Sequence, residues 1–288
     1  MIKTFTEENL TDAVIERMAE CPNERLKTVM TSLIRHVHAF VREVELTEEE
    51  WFTGIRFLTD TGHKCDDVRQ EFILLSDVLG VSMLVDAVNH RHQAGATETT
   101  VFGPFFREDA PETPMWGDIS PDLPGTPAYV SGTVKDAQGS PIANALIDVW
   151  QSDGEKGLYD VQVEGQPWYG RGRIRTDAQG RYAFRTVQPV YYSIPDDGPV
   201  GDMLHKLKRH TWRPAHIHTM LQCDGYHPVT THLFVAGDQY IDSDAVFGVK
   251  ESLIVNFEPH QAGEAPDGKI CDKPFTTVNY DFVMTRKA

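Results

Sequence analysis

Two histidines that sit two residues apart are the clearest candidates for chemistry in this 288-residue chain. They are His216 and His218, in a run of mostly apolar residues that is typical of a β-strand. Because side chains of a strand alternate between its two faces, both imidazoles would point the same way and could bind one metal ion. Arg213, three residues before the first of them, would add a cation beside this candidate site.

Two other pairs with the same spacing do not predict a shared site. His36 with His38, and His90 with His92, fall in segments of helical periodicity. Residues two apart on a helix diverge by roughly 200°, so we expect those rings to separate. The spacing alone is a weak signal. At this point, one core and one surface histidine remain an equal alternative for the strand pair.

The missing ligands do not follow the common patterns of zinc or ferrous sites. No cysteine or further histidine has the spacing of a structural zinc site, and the His-x-Asp pattern of a ferrous triad is absent from the sequence. Tyr159 and Tyr192, both in predicted loops, offer phenolate oxygens instead. A phenolate is a hard anionic ligand that suits Fe(III), since a metal cation lowers a phenol pKa from about 10. For a single tyrosine, a hydrogen bond in a turn is the commoner role.

Composition narrows the class of protein. Apolar residues make up 40% of the chain and charged residues 24%, an ordinary balance for a globular protein. The net charge of −16 argues against nucleic acid as a partner, because phosphate binding requires basic patches. The first residues lack a signal peptide's apolar core, and we expect no transmembrane segment. The scattered cysteines, Cys21, Cys65, Cys223 and Cys271, indicate free thiols and a cytoplasmic protein.

The chain changes character near residue 100, which predicts three parts. Residues 1–100 carry helical periodicity, including a capping-box start at Thr47-Glu48-Glu49-Glu50. Residues 101–125 form an irregular connector rich in Pro, Gly and acidic residues, and residues 126–288 contain short strands separated by turns. The predicted fold class is α+β, with an N-terminal helical region packed on a C-terminal antiparallel β-sandwich.

Individual elements follow from the same patterns. One helix is predicted over 26–40, and Asp66 or Asp67 is expected to start another that runs to about His92. In the last predicted strand, alternate residues from Val278 onward are expected to share one face. The strands are predicted at 129–134, 145–150, 173–176, 181–187, 216–223, 230–235, 252–257 and 277–284.

Three motifs taken together resemble a known family. Gly-Leu-Tyr-Asp at 157–160, Tyr-Ser-Ile-Pro-x-x-Gly-Pro at 192–199 and Arg-Pro-Ala-His-Ile-His at 213–218 are similar to those of the intradiol ring-cleaving dioxygenases. Several spaced motifs are specific in combination, and the resemblance covers essentially the whole chain. It implies a helical region on a β-sandwich and a non-haem Fe(III) ion held by two tyrosines and two histidines.

The resemblance also implies roles for individual residues. Tyr159, Tyr192, His216 and His218 would hold one Fe(III) per subunit. Tyr192 would take a proton from the substrate, and Arg213 would lie beside the ring as it becomes anionic. An aromatic diol and O2 would be the substrates, and the ring would open to a diacid that contains both oxygen atoms.

The choice of diol depends on Asp77, which lies about one helical turn from Leu74. In the family branch that cleaves hydroxyquinol (benzene-1,2,4-triol), an acidic residue on this helix faces the extra hydroxyl. We therefore expect cleavage of hydroxyquinol to 3-hydroxy-cis,cis-muconate or maleylacetate. Catechol cleavage to cis,cis-muconate is the alternative, and for Asp77 itself a basic partner or solvent is the alternative. The expected substrate pocket comprises Leu74, Asp77, Val101, Phe102, Gly103, Pro104, Phe105, Ile194, Pro195 and Arg213.

Three expectations stay open. His232 stands where several relatives have glutamine, so its role beside the ligands is undecided.

The N-terminal helices carry more apolar residues than one sandwich face needs, and the resemblance implies a homodimer through them, with a phospholipid bound there in some members. A sandwich module that binds without catalysis is the alternative from another class, while the tyrosines disfavour a zinc hydrolase. Tyrosinate on Fe(III) is coloured, which separates these classes.

Overall fold

The computed structural model describes residues 4–67, 69–91, 95–163 and 168–287. The chain forms two compact units, Met1–Asp60 and Thr61–Ala288. The expected boundaries at residues 100 and 125 were drawn from sequence character, and they stay a prediction. Among the described residues, no helix combines the length and the apolar character required to cross a bilayer.

Three helices begin in the first unit: α1 (Leu10–Glu16), α2 (Glu24–Glu43) and α3 (Glu48–His63). The third helix continues into the second unit. Helix α2 has no buried residue along its length, although apolar residues recur along it at helical spacing. The exposed large apolar side chains of α2 and α3 are Leu26, Val29, Leu33, Val37, Phe40, Val41, Trp51, Phe52, Ile55 and Leu58.

Side-chain caps fix where these helices begin. Asn23 accepts a hydrogen bond from the backbone N–H of Leu26 at the start of α2. The capping box predicted for α3 is confirmed, because the Thr47 hydroxyl accepts from Glu50 N and the Glu50 carboxylate accepts from Thr47 N.

The single helix predicted over residues 66–92 is wrong. Two helices take its place, α4 (Glu71–Val78) and α5 (Val81–His90). Gly80 between them has a φ of +73°, a left-handed conformation that a continuous α-helix does not contain. The glycine therefore ends one helix and starts a second in a new direction.

The start of that predicted helix is also corrected. Gln70 caps α4, since its side chain accepts from Phe72 N. Asp66 accepts instead from Arg69 N, in the turn before the helix. The expected end, His92, lies outside the described residues.

Strands dominate the second unit, together with helix α6 (Pro199–Lys206). In the described ranges they are β1 (Gly117–Asp118), β2 (Pro127–Asp136), β3 (Leu146–Trp150), β4 (Arg171–Arg175), β5 (Arg181–Val187), β6 (Tyr192–Ser193), β7 (Trp212–Arg213), β8 (His216–Gln222), β9 (Val229–Val235), β10 (Ile254–Val255), β11 (Glu258–His260), β12 (Gly263–Glu264), β13 (Ile270–Cys271), β14 (Phe275–Asn279) and β15 (Phe282–Met284).

Two sheets form the sandwich, which confirms the α+β class. One has the order β10-β9-β8-β3-β4, and the other has the order β1-β5-β2-β14-β11 with β15 also paired to β2. Both sheets are mixed rather than antiparallel throughout, because β14 and β15 run parallel to β2, and β10 runs parallel to β9.

The last predicted strand is divided in two. Between β14 and β15, the carboxylate of Asp281 accepts from the backbone N–H of Thr133, which interrupts the backbone ladder to β2. The expected face is nevertheless retained: Val278, Phe282 and Met284 are all buried in the core between the sheets.

The two faces of β8 serve two different cores. Ile217 is fully buried between the sheets, with Ile147, Leu221 and Leu233. The residues on either side of Ile217 therefore point to the outer face of the same sheet. That face is covered by a second apolar cluster, to which α4 and α6 contribute. Its buried members are Leu74, Val78, Val101, Trp150, Tyr159, Tyr192, Ile194, Val200, Leu204, Ala245 and Val246.

Candidate metal centre

Three histidines meet on the outer face of the β8–β9 pair. His216 and His218 share that face because they alternate with the core residue Ile217, as predicted. His232 on β9 is the direct cross-strand partner of His218. Nitrogen atoms of the three rings lie within 4.8 Å of one another, and all three side chains are buried.

The two-stranded ribbon of β6 and β7 carries a phenol and a guanidinium that lie beside these histidines. Tyr192 on β6 and Arg213 on β7 are direct cross-strand partners. The Arg213 Nη1 atom lies 3.5 Å from the Tyr192 hydroxyl and 3.3 Å from His216 Nε2. Arg213 is itself almost fully buried, so this cation belongs to the site rather than to the surface.

Tyr159 enters from the loop that follows β3. It precedes a 3₁₀ turn, Asp160–Gln162, and its backbone N–H donates to the Gln162 side chain, which holds the turn in place. Its hydroxyl lies 3.1 Å from His218 Nε2, and its ring is 5.4 Å from that of Tyr192, centroid to centroid. The two phenols and the two β8 imidazoles therefore converge on one point.

A backbone hydrogen bond determines which ring nitrogen of His216 can act as a metal ligand. The Nδ1 atom of His216 donates to the backbone carbonyl of Pro214 at 2.6 Å, so its Nε2 atom carries a lone pair. That lone pair faces the Nε2 atom of His218 at 3.1 Å. A carbonyl that orients a histidine in this way is the usual support of a metal ligand.

Burial keeps these histidines neutral. Burial and, after it, the nearby Arg213 cation together lower the pKa of His216 to about 3. The pKa values of His218 and His232 are also held well below the usual range, first by burial and then by the neighbouring imidazoles. Neutral imidazole is the form that binds a metal ion.

The ionised form of the Tyr159 phenol requires a neighbouring cation. Full burial raises its pKa well above the ordinary value, and the charge of Tyr192 raises it again. A phenolate at this position is therefore favoured only when a cation stronger than Arg213 lies beside it. Two neutral imidazole nitrogens and two phenolic oxygens form a donor set that suits a hard trivalent ion.

Arg213 is fixed by Asp244, which sequence reasoning did not single out. The Nε atom of Arg213 donates to Asp244 Oδ1 at 3.0 Å, and both side chains are buried. Burial alone would lower the pKa of Arg213, but the Asp244 carboxylate more than offsets it and the pKa is raised. The guanidinium thus stays charged.

Both parts of the chain match families of known function. Residues 23–97 match the family described as Catechol dioxygenase N terminus, and residues 101–286 match the family described as Dioxygenase. The chain belongs to the intradiol dioxygenase family. This membership implies a non-haem Fe(III) ion, and the donors of the dioxygenase site fit it.

Several relatives resemble this dioxygenase over nearly its full length. A hydroxyquinol 1,2-dioxygenase from Rhizobium sp. (strain MTP-10005) is 49% identical over 98% of this chain and 96% of its own. The structure of a hydroxyquinol 1,2-dioxygenase from Pseudomonas putida DLL-E4 matches with a TM-score of 0.91 and 52% identity, over 98% of this chain and 99% of the other. The structure of a catechol 1,2-dioxygenase from Acinetobacter sp. ADP1 matches with a TM-score of 0.86 and 29% identity. The match covers 100% of this chain and 95% of the other.

A cavity of about 720 Å³ in this dioxygenase is lined by residues near the two tyrosines in sequence, Val161 and Ser193 among them, but not by the four candidate ligands themselves. Five residues expected in the substrate pocket line it: Leu74, Pro104, Phe105, Ile194 and Pro195. The ring of Phe105 stacks on that of Tyr159, with centroids 4.4 Å apart, which ties the cavity wall to the candidate ligands.

The other expected pocket residues lie outside this lining. Val101 is buried in the second core, and the ring of Phe102, nearly half exposed, packs on Trp150. Gly103 has a φ of +77° and lies so close to His218 that a Cβ atom would be 3.0 Å from the ring. Asp77 is buried on α4, where burial raises its pKa while Ser82 and then Arg213 lower it.

Two more supports of the site were not predicted. Trp150 stacks on His218 with ring planes 13° apart. Asp160 accepts hydrogen bonds from Arg171 and Arg107, and so anchors the loop of Tyr159. Asp160 belongs to the Gly-Leu-Tyr-Asp motif, so a buried role for its carboxylate could have been inferred from its position.

His232 packs against both histidines of β8. Its ring is stacked on His216, with centroids 4.6 Å apart and planes 13° from parallel, and meets His218 edge-on at 4.0 Å. Arg213 Nη2 lies 3.4 Å from its Nδ1 atom, and its Nε2 atom has no hydrogen-bond partner among the described residues. Its part in the reaction stays a prediction.

Proposed function

We propose that this dioxygenase cleaves hydroxyquinol between its adjacent hydroxyl groups, using O2, to give 3-hydroxy-cis,cis-muconate or its tautomer maleylacetate. The observation that carries the proposal is the 49–52% identity to hydroxyquinol 1,2-dioxygenases over nearly the full chain, against 29–37% to catechol 1,2-dioxygenases. Convergence of two phenols and two neutral imidazoles beside a cavity of suitable size supports the same reaction.

We propose Tyr159, Tyr192, His216 and His218 as the ligands of one Fe(III) per subunit. When bound, the ion would draw electron density from a chelated diol and make the ring reactive toward O2. The lone pair of His216, oriented by the Pro214 carbonyl, and the hydroxyl of Tyr159, 3.1 Å from His218, support this ligand set.

Tyr192 and Arg213 are the proposed catalytic residues. The phenolate oxygen of Tyr192 would receive one of the two protons that a diol loses when it chelates a metal, and would become a hydroxyl. The Arg213 guanidinium, 3.5 Å from that hydroxyl and held by Asp244, would stabilise negative charge that develops on the ring. Because the site is buried, this electrostatic stabilisation is stronger than it would be in water.

Asp77 is the proposed determinant of the triol. Its carboxyl group is buried on the cavity-side helix, one turn from the lining residue Leu74. Burial raises its pKa, although Ser82 and Arg213 partly oppose this. Such a group can exchange hydrogen bonds with a third ring hydroxyl, which catechol does not have.

Parallel turnover assays test the function directly. Iron-loaded protein should show a visible tyrosinate band, consume O2 with hydroxyquinol, and act on catechol much more slowly. If the protein is coloured but prefers catechol, it is a catechol 1,2-dioxygenase. A colourless protein without turnover would favour a β-sandwich binding module.

We further propose a homodimer formed through the exposed apolar residues of α2 and α3, with room for a phospholipid among them. Leu33 and Phe40 are each about half exposed on α2. A stable dimer interface would bury these apolar side chains and remove them from water. Sedimentation of the full-length protein should give a dimer, and Leu33→Glu should give a monomer. Mass spectrometry of an organic extract tests for the lipid.

The division into a helical region, 1–100, a pocket-lining connector, 101–125, and a catalytic sandwich, 126–288, remains part of the proposal. Pro104 and Phe105 in the cavity wall support the role of the connector. A cytoplasmic location is proposed as well, and the four free thiols are consistent with it.

A further inference from the structure

A chain of ionised side chains joins two walls of the 720 Å³ cavity. One wall is the start of α4 and the other is the segment 193–197, which follows Tyr192. Arg69 Nε donates to Glu71 Oε2 at 2.9 Å, while its Nη1 atom forms an ion pair with Asp197 on the other wall. Lys64 Nζ completes the chain 3.0 Å from the second oxygen of Asp197. We call Lys64, Arg69, Glu71 and Asp197 the clip.

Glu71 is the buried end of the clip. Its side chain is fully buried, which is unfavourable for a carboxylate unless cations and N–H groups surround it. Besides the Arg69 pair, its Oε1 atom accepts from Val200 N at 3.3 Å, in the first turn of α6. Gly198 has no side chain to cap that helix, and a Cβ atom there would lie 2.6 Å from Glu71 Oε1. Glu71 therefore caps α6 from the neighbouring helix.

This cap connects the clip to residues near the candidate ligands. Leu74 lies one turn after Glu71 on α4, and Val200 and Leu204 of α6 pack in the same buried cluster as Tyr192. On the opposite wall, Ile194 precedes the loop that carries Asp197. A change in the clip should therefore alter the spacing of both walls around a bound ring.

We propose that Glu71 is a positioning residue which, through Arg69 and Asp197, sets the separation of the two cavity walls and thereby the affinity for aromatic diols and triols. This inference rests on the proposed function, because the ring substrate is the ligand whose fit the walls determine.

The two arms of the clip should respond differently to salt. The Glu71 arm is buried and is largely shielded from ions in solution. The Asp197 arm has a carboxylate that is 66% exposed, although hydrogen bonds from Arg69 and Lys64 lower the pKa of Asp197 to about 2. Salt should weaken only the exposed arm, since exposed ion pairs are screened.

Glu71→Gln tests the buried arm, because glutamine keeps an acceptor for Val200 N but removes the charge that binds Arg69. The variant should raise KM for hydroxyquinol, and the anaerobic Kd of hydroxyquinol and catechol, by about tenfold, with kcat changed less than about threefold. The matched control is Asp136→Asn, another buried carboxylate with an arginine partner, Arg286, at the end of β2 and outside the cavity lining.

The control should lower Tm while KM and Kd stay unchanged. If Glu71→Gln lowers Tm in the same way and leaves KM and Kd unchanged, Glu71 is only structural and the inference is wrong. Asp197→Asn tests the exposed arm. In the wild type, raising NaCl to about 0.5 M should raise KM, whereas in this variant KM should start higher and not respond. A salt response equal to that of the wild type would also overturn the inference.

Binding measurements separate this inference from the proposed function. Kd is measured by calorimetry without O2, so it does not depend on turnover. If the wild type binds the ring compounds but cleaves neither, the proposed function fails while the clip is still tested by its variants. If it binds neither compound, both fail.

Discussion

The rings of Trp150 and His218 lie face to face, with centroids 4.7 Å apart and planes 13° from parallel. The two residues are also direct partners across the β3–β8 pair, so backbone register and side-chain stacking fix the imidazole together. The Trp150 indole N–H has no hydrogen-bond partner among the described residues, which leaves stacking as its contribution.

Trp150→Ala should therefore destabilise the protein and loosen His218. Loss of a buried tryptophan costs roughly 3–5 kcal/mol, and the imidazole would gain freedom to leave its ligand position. Trp150→Phe keeps an aromatic face and breaks no hydrogen bond, so it should lose much less stability. Urea unfolding and iron content per protein measure the two effects. Equal iron retention in both variants would contradict the positioning role.

Tyr159→Phe should weaken and shift the visible absorption of the iron-loaded protein, leaving the part that Tyr192 contributes. The variant keeps the ring that stacks on Phe105 but lacks the oxygen that would bind the metal. Tyr182→Phe is the matched control, because Tyr182 is equally buried but donates its hydroxyl hydrogen bond to the Tyr280 carbonyl. It should lose about 1 kcal/mol of stability and keep the full band. If Tyr159→Phe binds iron and keeps the unchanged band of the wild type, Tyr159 is not a ligand.

Asp77→Ala should penalise hydroxyquinol more than catechol. Removal of a hydrogen bond to the third hydroxyl should lower kcat/KM for the triol by about tenfold or more, whereas catechol has no group to lose. The ratio of kcat/KM for the two substrates, measured on one preparation, cancels any loss of folded protein. An unchanged ratio would exclude Asp77 as the specificity determinant.

The shared face of His216 and His218 could be predicted because the evidence for it is local. Alternation fixes the shared face of His216 and His218, and the core position of Ile217 between them confirms it. The α+β class could likewise be predicted from short-range periodicity. The helix break at Gly80 could not, because a single glycine in an apolar run does not reveal its φ value.

Contacts between distant segments could not be predicted from local patterns. Asp244 meets Arg213 across 31 positions, and Glu71 meets Val200 across 129. Burial makes both carboxylates important, but burial follows from the packing of α4, α6 and the outer sheet face, not from neighbours in the sequence. Composition and spacing therefore indicate the candidate ligands better than the residues that support them.

Metal-free protein should become less stable as the pH falls below about 6.5. Burial lowers the pKa of His216 from 6.5 to about 3, so the unfolded chain binds a proton there before the folded chain does. Stability from this group is complete above pH 6.5 and is lost as the pH falls toward 3. The pKa of His232 is also lowered, so this residue makes the free energy of unfolding depend more steeply on pH.

Urea unfolding of the metal-free protein at several pH values measures that slope. His232→Gln should reduce it by about one proton, or roughly 1.4 kcal/mol per pH unit within this window, because one buried titrating ring is gone. An identical slope in the variant would show that His232 does not resist protonation in the folded protein.

Gly103→Ala should displace His218 as well as strain the backbone. The glycine has a φ of +77°, and a Cβ atom there would lie 3.0 Å from His218 Cε1, a contact that only movement of the ring or the backbone can relieve. Gly139→Ala is a matched control: its φ is +83°, and nothing lies within 4 Å of the added atom. In both variants the free energy of unfolding should fall by about 1–2 kcal/mol, because alanine is strained in the left-handed conformation. Only Gly103→Ala should also bind iron more weakly and shift the visible band, because only there does the methyl group press on a proposed ligand. If both variants keep wild-type iron affinity, then close packing of residue 103 does not hold His218 in place.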